Sequence, residues 1–173
     1  MTMNPNPNMQ EVVITRVFDF PVEVVWKAWT DPSLVMQWWG PEHYTSPRCE
    51  IDFREGGKYL FSMRAPDSHG GQESFSAGVY KKIVPLERLE FSQYMADQEG
   101  NYIDPAQIGL PADFPANVDM VIEFFARGEQ TELKITEYGW TPGEMLKYAI
   151  MGMNQSLDKL AENIGAMYRS KES

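Results

Sequence analysis

Four of the chain's five tryptophans lie within residues 18–49, and this cluster constrains the fold more than any other feature of the sequence. They are Trp26, Trp29, Trp38 and Trp39. The stretch predicts two short helices, because Pro21 and Pro32 suit the first position of a helix, where the missing N–H would have no partner. Asp31 is a suitable N-cap for the second helix, which the Gly-Pro pair at 40–41 ends. Two short helices cannot bury four indoles against each other, so the segment must pack onto a larger element.

The rest of the chain supplies that larger element as a sheet and a long helix. Alternation of apolar and polar residues predicts about seven antiparallel strands, each with one apolar face, at 11–20, 48–53, 58–65, 73–84, 88–95, 117–127 and 131–138. Thr141 begins a capping box, and the apolar spacing behind it predicts an amphipathic helix that ends near Tyr168. The fold class is therefore α+β, with a curved antiparallel sheet wrapped on the long C-terminal helix and two short helices after the first strand.

The composition favours a single domain and restricts its partners. The length of 173 residues fits one domain, predicted at residues 11–168, between a disordered lead-in at 1–10 and a tail at 169–173. The net charge of −10 argues against nucleic acids and anionic membranes as partners, and no apolar run of about 18 residues is present for a membrane span. The one cysteine, Cys49, cannot form an internal disulfide, which fits a cytoplasmic location.

Sequence motifs for catalysis or metal binding are missing. The two histidines and the cysteine have no metal-ligand spacing, and the chain has no nucleophile elbow, phosphate loop or dinucleotide fingerprint. From these patterns we assign no catalytic residue, no metal and no cofactor.

Two polar residues interrupt the apolar faces of predicted strands. Gln93 shares a face with Phe91, and Glu137 shares a face with Ile135. Because a buried polar group needs a partner or a wet cavity, two interpretations are open. Either both side chains reach water at the ends of the sheet, or they are the few polar anchors of an otherwise apolar pocket.

Two further features also allow two interpretations each. Gly152 lies in the middle of the predicted long helix, where glycine costs about 1 kcal/mol relative to alanine. It either lets the sheet approach closely or leaves space for a ligand. The segment at 96–116 is longer than a hairpin loop and carries apolar side chains between prolines. It forms either a satellite cluster or a lid over a pocket.

Several blocks of the sequence resemble one family. They read FDFPVEVVWKAWTDPSLVMQWWGP from residue 18, CEIDFREGGKY from residue 49, GVYKKIVPLERL from residue 78 and GMNQSLDKLA from residue 152. Together they resemble bacterial homologues of the activator of the heat-shock-90 chaperone ATPase, which belong to the START-like (SRPBCC) superfamily. The resemblance covers residue 11 to about residue 166, and its first block is the most specific.

The resemblance implies a helix-grip fold, in which the sheet wraps the long helix and leaves an apolar cavity between them. It implies no catalytic residues, since the common property of the superfamily is to hold an apolar small molecule. The chain departs from the pattern at Met153, where many relatives carry tryptophan, and in the insert at 102–115.

Three functions follow as hypotheses. The first is the binding of an apolar or amphipathic small molecule between the sheet and the long helix, by a protein that we expect to be a binding module rather than an enzyme. The second is a protein-partner role, in chaperone regulation or self-association. The third is an enzyme of the cyclase, dehydratase or hydrolase type, with Glu137 as a base whose pKa burial would raise.

The first hypothesis predicts which residues line the cavity. Among the tryptophans, Trp26 and Trp29 are expected in the core, and Trp38 and Trp39 are expected to border the cavity. The predicted ligand-binding residues are Trp39, Tyr59, Phe61, Met63, Phe91, Gln93, Phe124, Glu137, Met145, Ala149 and Met153.

Overall fold

A computed structural model of the chain describes residues 10–172, which form a single antiparallel sheet and a long C-terminal helical path. The strands are β1 Gln10–Phe18, β2 Cys49–Ile51, β3 Lys58–Arg64, β4 Glu73–Val84, β5 Arg88–Ala96, β6 Val118–Arg127 and β7 Gln130–Trp140. The helices are α1 Val22–Thr30, α2 Pro32–Val35, α3 Glu144–Lys159 and α4 Gly165–Glu172, with a π turn at Leu160–Ile164 and 3₁₀ turns at Asp67–His69 and Pro105–Ile108.

The sheet has the order β1-β7-β6-β5-β4-β3-β2, and every neighbouring pair is antiparallel. Strands β2 to β7 form a meander, in which each strand pairs with the next one along the chain. Strand β1 pairs with β7 and lies at the edge of the sheet. The inner face of this sheet packs against α3, while α1 and α2 pack between the sheet and the end of the helical path. The predicted α+β helix-grip architecture is therefore confirmed.

The tryptophan segment packs into the core, as its composition predicts. Trp29, Trp38 and Trp39 are buried, and their rings follow one another at centroid distances of 4.8 Å and 5.7 Å. Trp26 meets the ring of Phe124 on β6 at 5.1 Å. Asp31 caps α2 as predicted, because its Oδ1 accepts a hydrogen bond from the backbone N–H of the second residue of that helix. The two short helices thus join the tryptophans to the sheet.

The second strand is shorter than predicted because the chain turns early. The predicted strand at 48–53 is reduced to Cys49–Ile51, since the backbone N–H of Arg54 bonds to the carbonyl of Asp52 and closes a tight turn. A side chain on Gly57 would lie 1.9 Å from the carbonyl oxygen of Asp52, so only glycine fits there. Phe53 leaves the sheet at this turn and packs on other aromatic rings.

Both ends of the described chain differ from the sequence-based boundaries. The predicted lead-in at 1–10 lies outside the described residues except for Gln10, which already belongs to β1. The predicted tail at 169–173 is helical up to Glu172. No proline or glycine interrupts this last stretch, and Arg169 and Lys171 stabilise the negative end of a helix.

The start of the long helix corrects the predicted capping box. The helix begins at Glu144, and its N-cap is Gly143, which makes no side-chain capping hydrogen bond. Thr141 is therefore not the N-cap, because the extended backbone of Gly143 separates it from the helix. The carboxylate of Asp113 lies beside Gly143, where a negative charge is favourable at a helix N-terminus.

Within residues 10–172, no helix is both long enough and apolar enough to cross a bilayer.

The packing of α3 on the sheet gives a first prediction. Leu157 has no exposed surface, so Leu157→Ala should lower the free energy of unfolding by about 2–5 kcal/mol through lost burial and a residual cavity. Met151→Ala on the same helix is the control, because half of Met151 is exposed and the expected change is within about 0.5 kcal/mol. Urea denaturation of both variants measures this, and equal losses would contradict the packing described above.

Candidate functional site

A pocket of about 200 Å³ lies between the inner face of the sheet and the middle of α3. Its floor comes from β3 to β7, its roof from α3, one wall from the loop after α2, and part of its rim from the loop after β5. We call it the sheet–helix pocket. Its lining is Trp39, Gly40, Pro41, Met63, Ser74, Phe75, Ser76, Gln93, Met95, Phe114, Met120, Glu137, Trp140, Tyr148, Ala149, Gly152, Met153 and Ser156.

Six of the eleven predicted ligand-binding residues line one pocket. The six in the sheet–helix pocket are Trp39, Met63, Gln93, Glu137, Ala149 and Met153. Trp38 does not border the pocket. It is 1% exposed, and its Nε1 donates a hydrogen bond to the carbonyl of Ala28 at 2.9 Å.

The other five predicted ligand-binding residues lie outside the sheet–helix pocket. Tyr59, Phe61 and Phe91 form an aromatic cluster, with Tyr59 at 4.7 Å and 5.5 Å from the other two ring centroids. Phe124 packs against Trp26, and Met145 is half-buried at the edge of the core. Alternation along a strand identifies the face on which each residue lies, but not whether that residue is packed in the core or borders the pocket. These five face the filled part of the core.

Sequence reasoning missed lining residues of two kinds. Met95 and Met120 had a signal, because they continue the apolar alternation of β5 and β6. Ser76 had a weaker one, as a small polar residue in β4. Phe114 lies in the segment at 96–116, for which a lid over a pocket is one of the two interpretations. Trp140 had no signal, since it lies beyond the predicted end of its strand. Their rings meet edge-to-face at 5.6 Å.

Glu137 is the acidic residue of the pocket and is almost fully buried, with 6% of its surface exposed. Burial raises the pKa of its carboxyl, and the hydrogen bond from Trp140 lowers it in part. That bond runs from Nε1 of Trp140 to Oε1 of Glu137 at 2.9 Å. Of the two interpretations of Glu137, the structure favours a pocket anchor, because the side chain does not reach bulk water.

Three further pocket residues carry buried polar atoms without a hydrogen-bond partner among residues 10–172. These atoms are Nε1 of Trp39, Oγ of Ser76 and Oε1 of Gln93. Only two other side-chain atoms in the described part share this condition. Each unpaired buried polar group costs about 1–3 kcal/mol, so three around one pocket need a physical explanation. Water or a ligand in the pocket provides one.

Hydrogen bonds connect the wall that contains Trp39 to α3. Nζ of Lys159 donates hydrogen bonds to the carbonyls of Pro41 and Tyr44, at 3.2 Å and 3.0 Å. The backbone N–H of Glu42 donates to Oε1 of Gln155 at 3.1 Å. Burial lowers the pKa of Lys159. These bonds fix the position of the wall relative to α3.

Gly152 leaves space in the pocket. A Cβ added there would have Pro41 Cγ as its nearest neighbour, at the ordinary van der Waals distance of 3.5 Å. Alanine would therefore fit, so close approach of the sheet does not explain this glycine. Of its two interpretations, the structure supports open space.

The segment at 96–116 combines both interpretations that its sequence allows. Tyr102, near its start, lies at 5.8 Å from the ring of Tyr94, which packs on a small satellite cluster around Leu60. Phe114, near its end, borders the pocket beside Trp140. The first part thus belongs to a satellite cluster, and the last part belongs to the pocket rim.

The described part of the chain has no cluster of metal-ligating side chains. No group of three or more histidine, cysteine, aspartate or glutamate residues there could hold a metal ion. The pocket lining includes neither histidine nor cysteine among the described residues. An enzyme would have to work with Glu137, the neutral polar groups and Tyr148.

Comparison with known proteins identifies relatives of this chain. The family model described as activator of Hsp90 ATPase homolog 1-like protein matches residues 19–165. No curated protein matches the chain.

Solved bacterial structures share the fold along almost the whole chain. A protein of Chromobacterium violaceum is 26% identical, with a TM-score of 0.70, and the match covers 92% of this chain and 98% of that one. A protein of Nitrosomonas europaea is 19% identical, with a TM-score of 0.72 and coverages of 95% and 99%. An AHSA1-like protein of Aeromonas hydrophila is 18% identical, with a TM-score of 0.68 and coverages of 91% and 94%.

The burial of Glu137 predicts how stability depends on pH. Because the pKa of its carboxyl is raised in the folded protein, the folded state holds the proton more tightly than the unfolded state. The resulting stability is fully present below the ordinary value of 4.5 and is lost as pH rises through the raised pKa. Glu137→Gln stays neutral, so it should gain stability relative to wild type as pH rises, by about 1.4 kcal/mol at most for each unit of pKa elevation.

Urea denaturation from about pH 4 to pH 8 measures this difference. The matched control is Glu129→Gln, which removes a carboxylate from the exposed turn between β6 and β7 and should leave the profile like that of wild type. A stability difference between Glu137→Gln and wild type that does not vary with pH would contradict the burial of an ionisable Glu137.

Proposed function

The chain belongs to the family of activator of Hsp90 ATPase homolog 1-like proteins, and from this premise and the sheet–helix pocket we propose that it binds a small apolar or amphipathic molecule. One observation carries the proposal. The pocket combines methionine and aromatic side chains with three buried polar atoms that have no partner in the described chain. Ligand sites typically have such apolar linings with a few polar groups that orient the ligand.

The size of the pocket limits the ligand. A cavity of about 150 Å³ in another protein is known to accept benzene, so about 200 Å³ suits a compound of roughly ten non-hydrogen atoms. One or two fused rings, or a short branched chain, have this size. Larger lipids would need the rim formed by Phe114 and Tyr148 to move.

We place this binding in the cytoplasm. The proposal is supported by Cys49, the one cysteine of the chain, which is free and therefore compatible with a reducing compartment. Burial raises the pKa of its thiol to about 12, so it is unreactive as a nucleophile at neutral pH.

Naphthalene tests the proposed function as an uncharged probe of suitable size. Isothermal titration calorimetry should detect binding to the wild-type protein with a Kd of roughly 10–100 µM, which is moderate for ten non-hydrogen atoms. Met153→Trp should weaken binding at least tenfold, because a larger ring on the pocket side of α3 fills the space. Absence of naphthalene binding to the folded wild-type protein would refute the proposal.

The matched control for the filled pocket is Met151→Trp. Met151 lies two residues away on the same helix, is half exposed and does not line the pocket. This variant adds the same ring outside the pocket, so its Kd should equal that of wild type. Equal weakening in both variants would show that the probe binds elsewhere on α3.

A protein-partner role is the second candidate, and the family description favours it. Members are named for activation of the Hsp90 ATPase. If this chain has that role, adding it to a bacterial heat-shock-90 chaperone should raise the steady-state ATPase rate. An unchanged rate together with no complex in size-exclusion chromatography would exclude it. Met153→Trp separates the two candidates, since filling the pocket should abolish probe binding and leave any stimulation intact.

A further inference from the structure

The sheet–helix pocket contains no cationic side chain, and this restricts the charge of its ligand. Neither lysine, arginine nor histidine is among the described residues that line it. Lys159, three residues beyond the last lining residue of α3, is engaged with the carbonyls of Pro41 and Tyr44. A carboxylate or phosphate in the pocket would therefore lose its hydration without gaining a counter-ion.

The unpaired atoms define a complementary pattern. Nε1 of Trp39 is a donor only, whereas Oε1 of Gln93 is an acceptor only. The hydroxyl of Ser76 takes either part. A carboxylate has no hydrogen for Oε1 of Gln93, and the carboxyl of Glu137 in the same lining disfavours a second negative charge. A neutral group that both donates and accepts can satisfy Trp39 and Gln93 together.

The strand register places these groups around one region of the floor. Gln93 pairs with Val118, and Phe91 in the same strand pairs with Met120, which in turn pairs with Glu137. Gln93 and Glu137 thus lie on strands that flank β6, two residues apart in register. Ser76 pairs with Met95, two residues beyond Gln93 on β5. The polar groups lie around Met120 and Met95. The polar group of a ligand and its apolar body would therefore contact neighbouring parts of the pocket floor.

We propose that the sheet–helix pocket selects small, uncharged ring compounds whose polar group both donates and accepts hydrogen bonds, such as a carboxamide, and discriminates against carboxylates. This inference rests on the proposed function and specifies its ligand class. Trp39 and Gln93 are the specificity-determining residues, through the donor of the first and the acceptor of the second.

Three probes within the size limit test this selectivity at neutral pH: toluene, benzamide and benzoate. Calorimetry should give benzamide a Kd at least tenfold lower than that of toluene, and benzoate a higher Kd than toluene. If benzoate binds most tightly, or if the amide has no advantage, the selectivity is refuted while binding of naphthalene still supports the proposed function. If neither these probes nor naphthalene binds, both are refuted.

Variants assign the selectivity to residues. Trp39→Phe and Gln93→Met each remove one polar partner, so each should reduce the advantage of benzamide over toluene by threefold or more. Trp29→Phe is the matched control, because its Nε1 is also buried and unpaired among the described residues but lies outside the pocket. It should leave the ranking unchanged. An equal effect of Trp29→Phe, or no effect of the two pocket variants, would overturn the assignment.

Discussion

The fold depends on covering the apolar inner face of a seven-stranded sheet with a single long helix. One helix about 10 Å wide cannot cover that face alone, so other apolar groups must complete the core. At one end α1, α2 and the rings of Trp29 and Trp38 do so. At the other end the helix presents Ala149 and Gly152, and a pocket remains. The site is thus the part of the inner face that the core leaves uncovered.

The polar groups of this uncovered part oppose stability and favour binding. A protein optimised for stability alone would place leucine where Gln93 and Glu137 lie, since a buried polar group without a partner is unfavourable. Trp38 shows that the fold can satisfy an indole N–H, because its Nε1 bonds to the carbonyl of Ala28. The indole of Trp39, the next residue, has no such partner in the described chain. The two neighbouring tryptophans thus differ: one indole N–H is satisfied within the core, and the other belongs to a pocket residue and has no partner in the described chain.

The sequence predicts the faces of the strands well and positions along them poorly. Alternation correctly turned Met63, Gln93 and Glu137 inward, since side chains on a strand alternate with a period of two. It equally turned Tyr59 and Phe91 inward, and these fill the core. Which end of the sheet stays open depends on where the tryptophan segment packs, and that is a long-range contact with no local signal. Trp140 escaped prediction because β7 is longer than its alternation predicts, and the loop segment that carries Phe114 allowed two interpretations.

The two sides of the pocket differ in how they are held, and this bears on affinity. The wall with Trp39 is tied to the helical path by Lys159, by Gln155 and by Asn163, whose Nδ2 donates to the carbonyl of Gln37 at 2.6 Å. This wall exists before a ligand arrives, so binding does not pay to order it. The opposite rim carries Phe114 on a long loop, where its ring contacts that of Trp140 at 5.6 Å. Under the proposed function, a ligand would meet its hydrogen-bond donor on the wall that these bonds position.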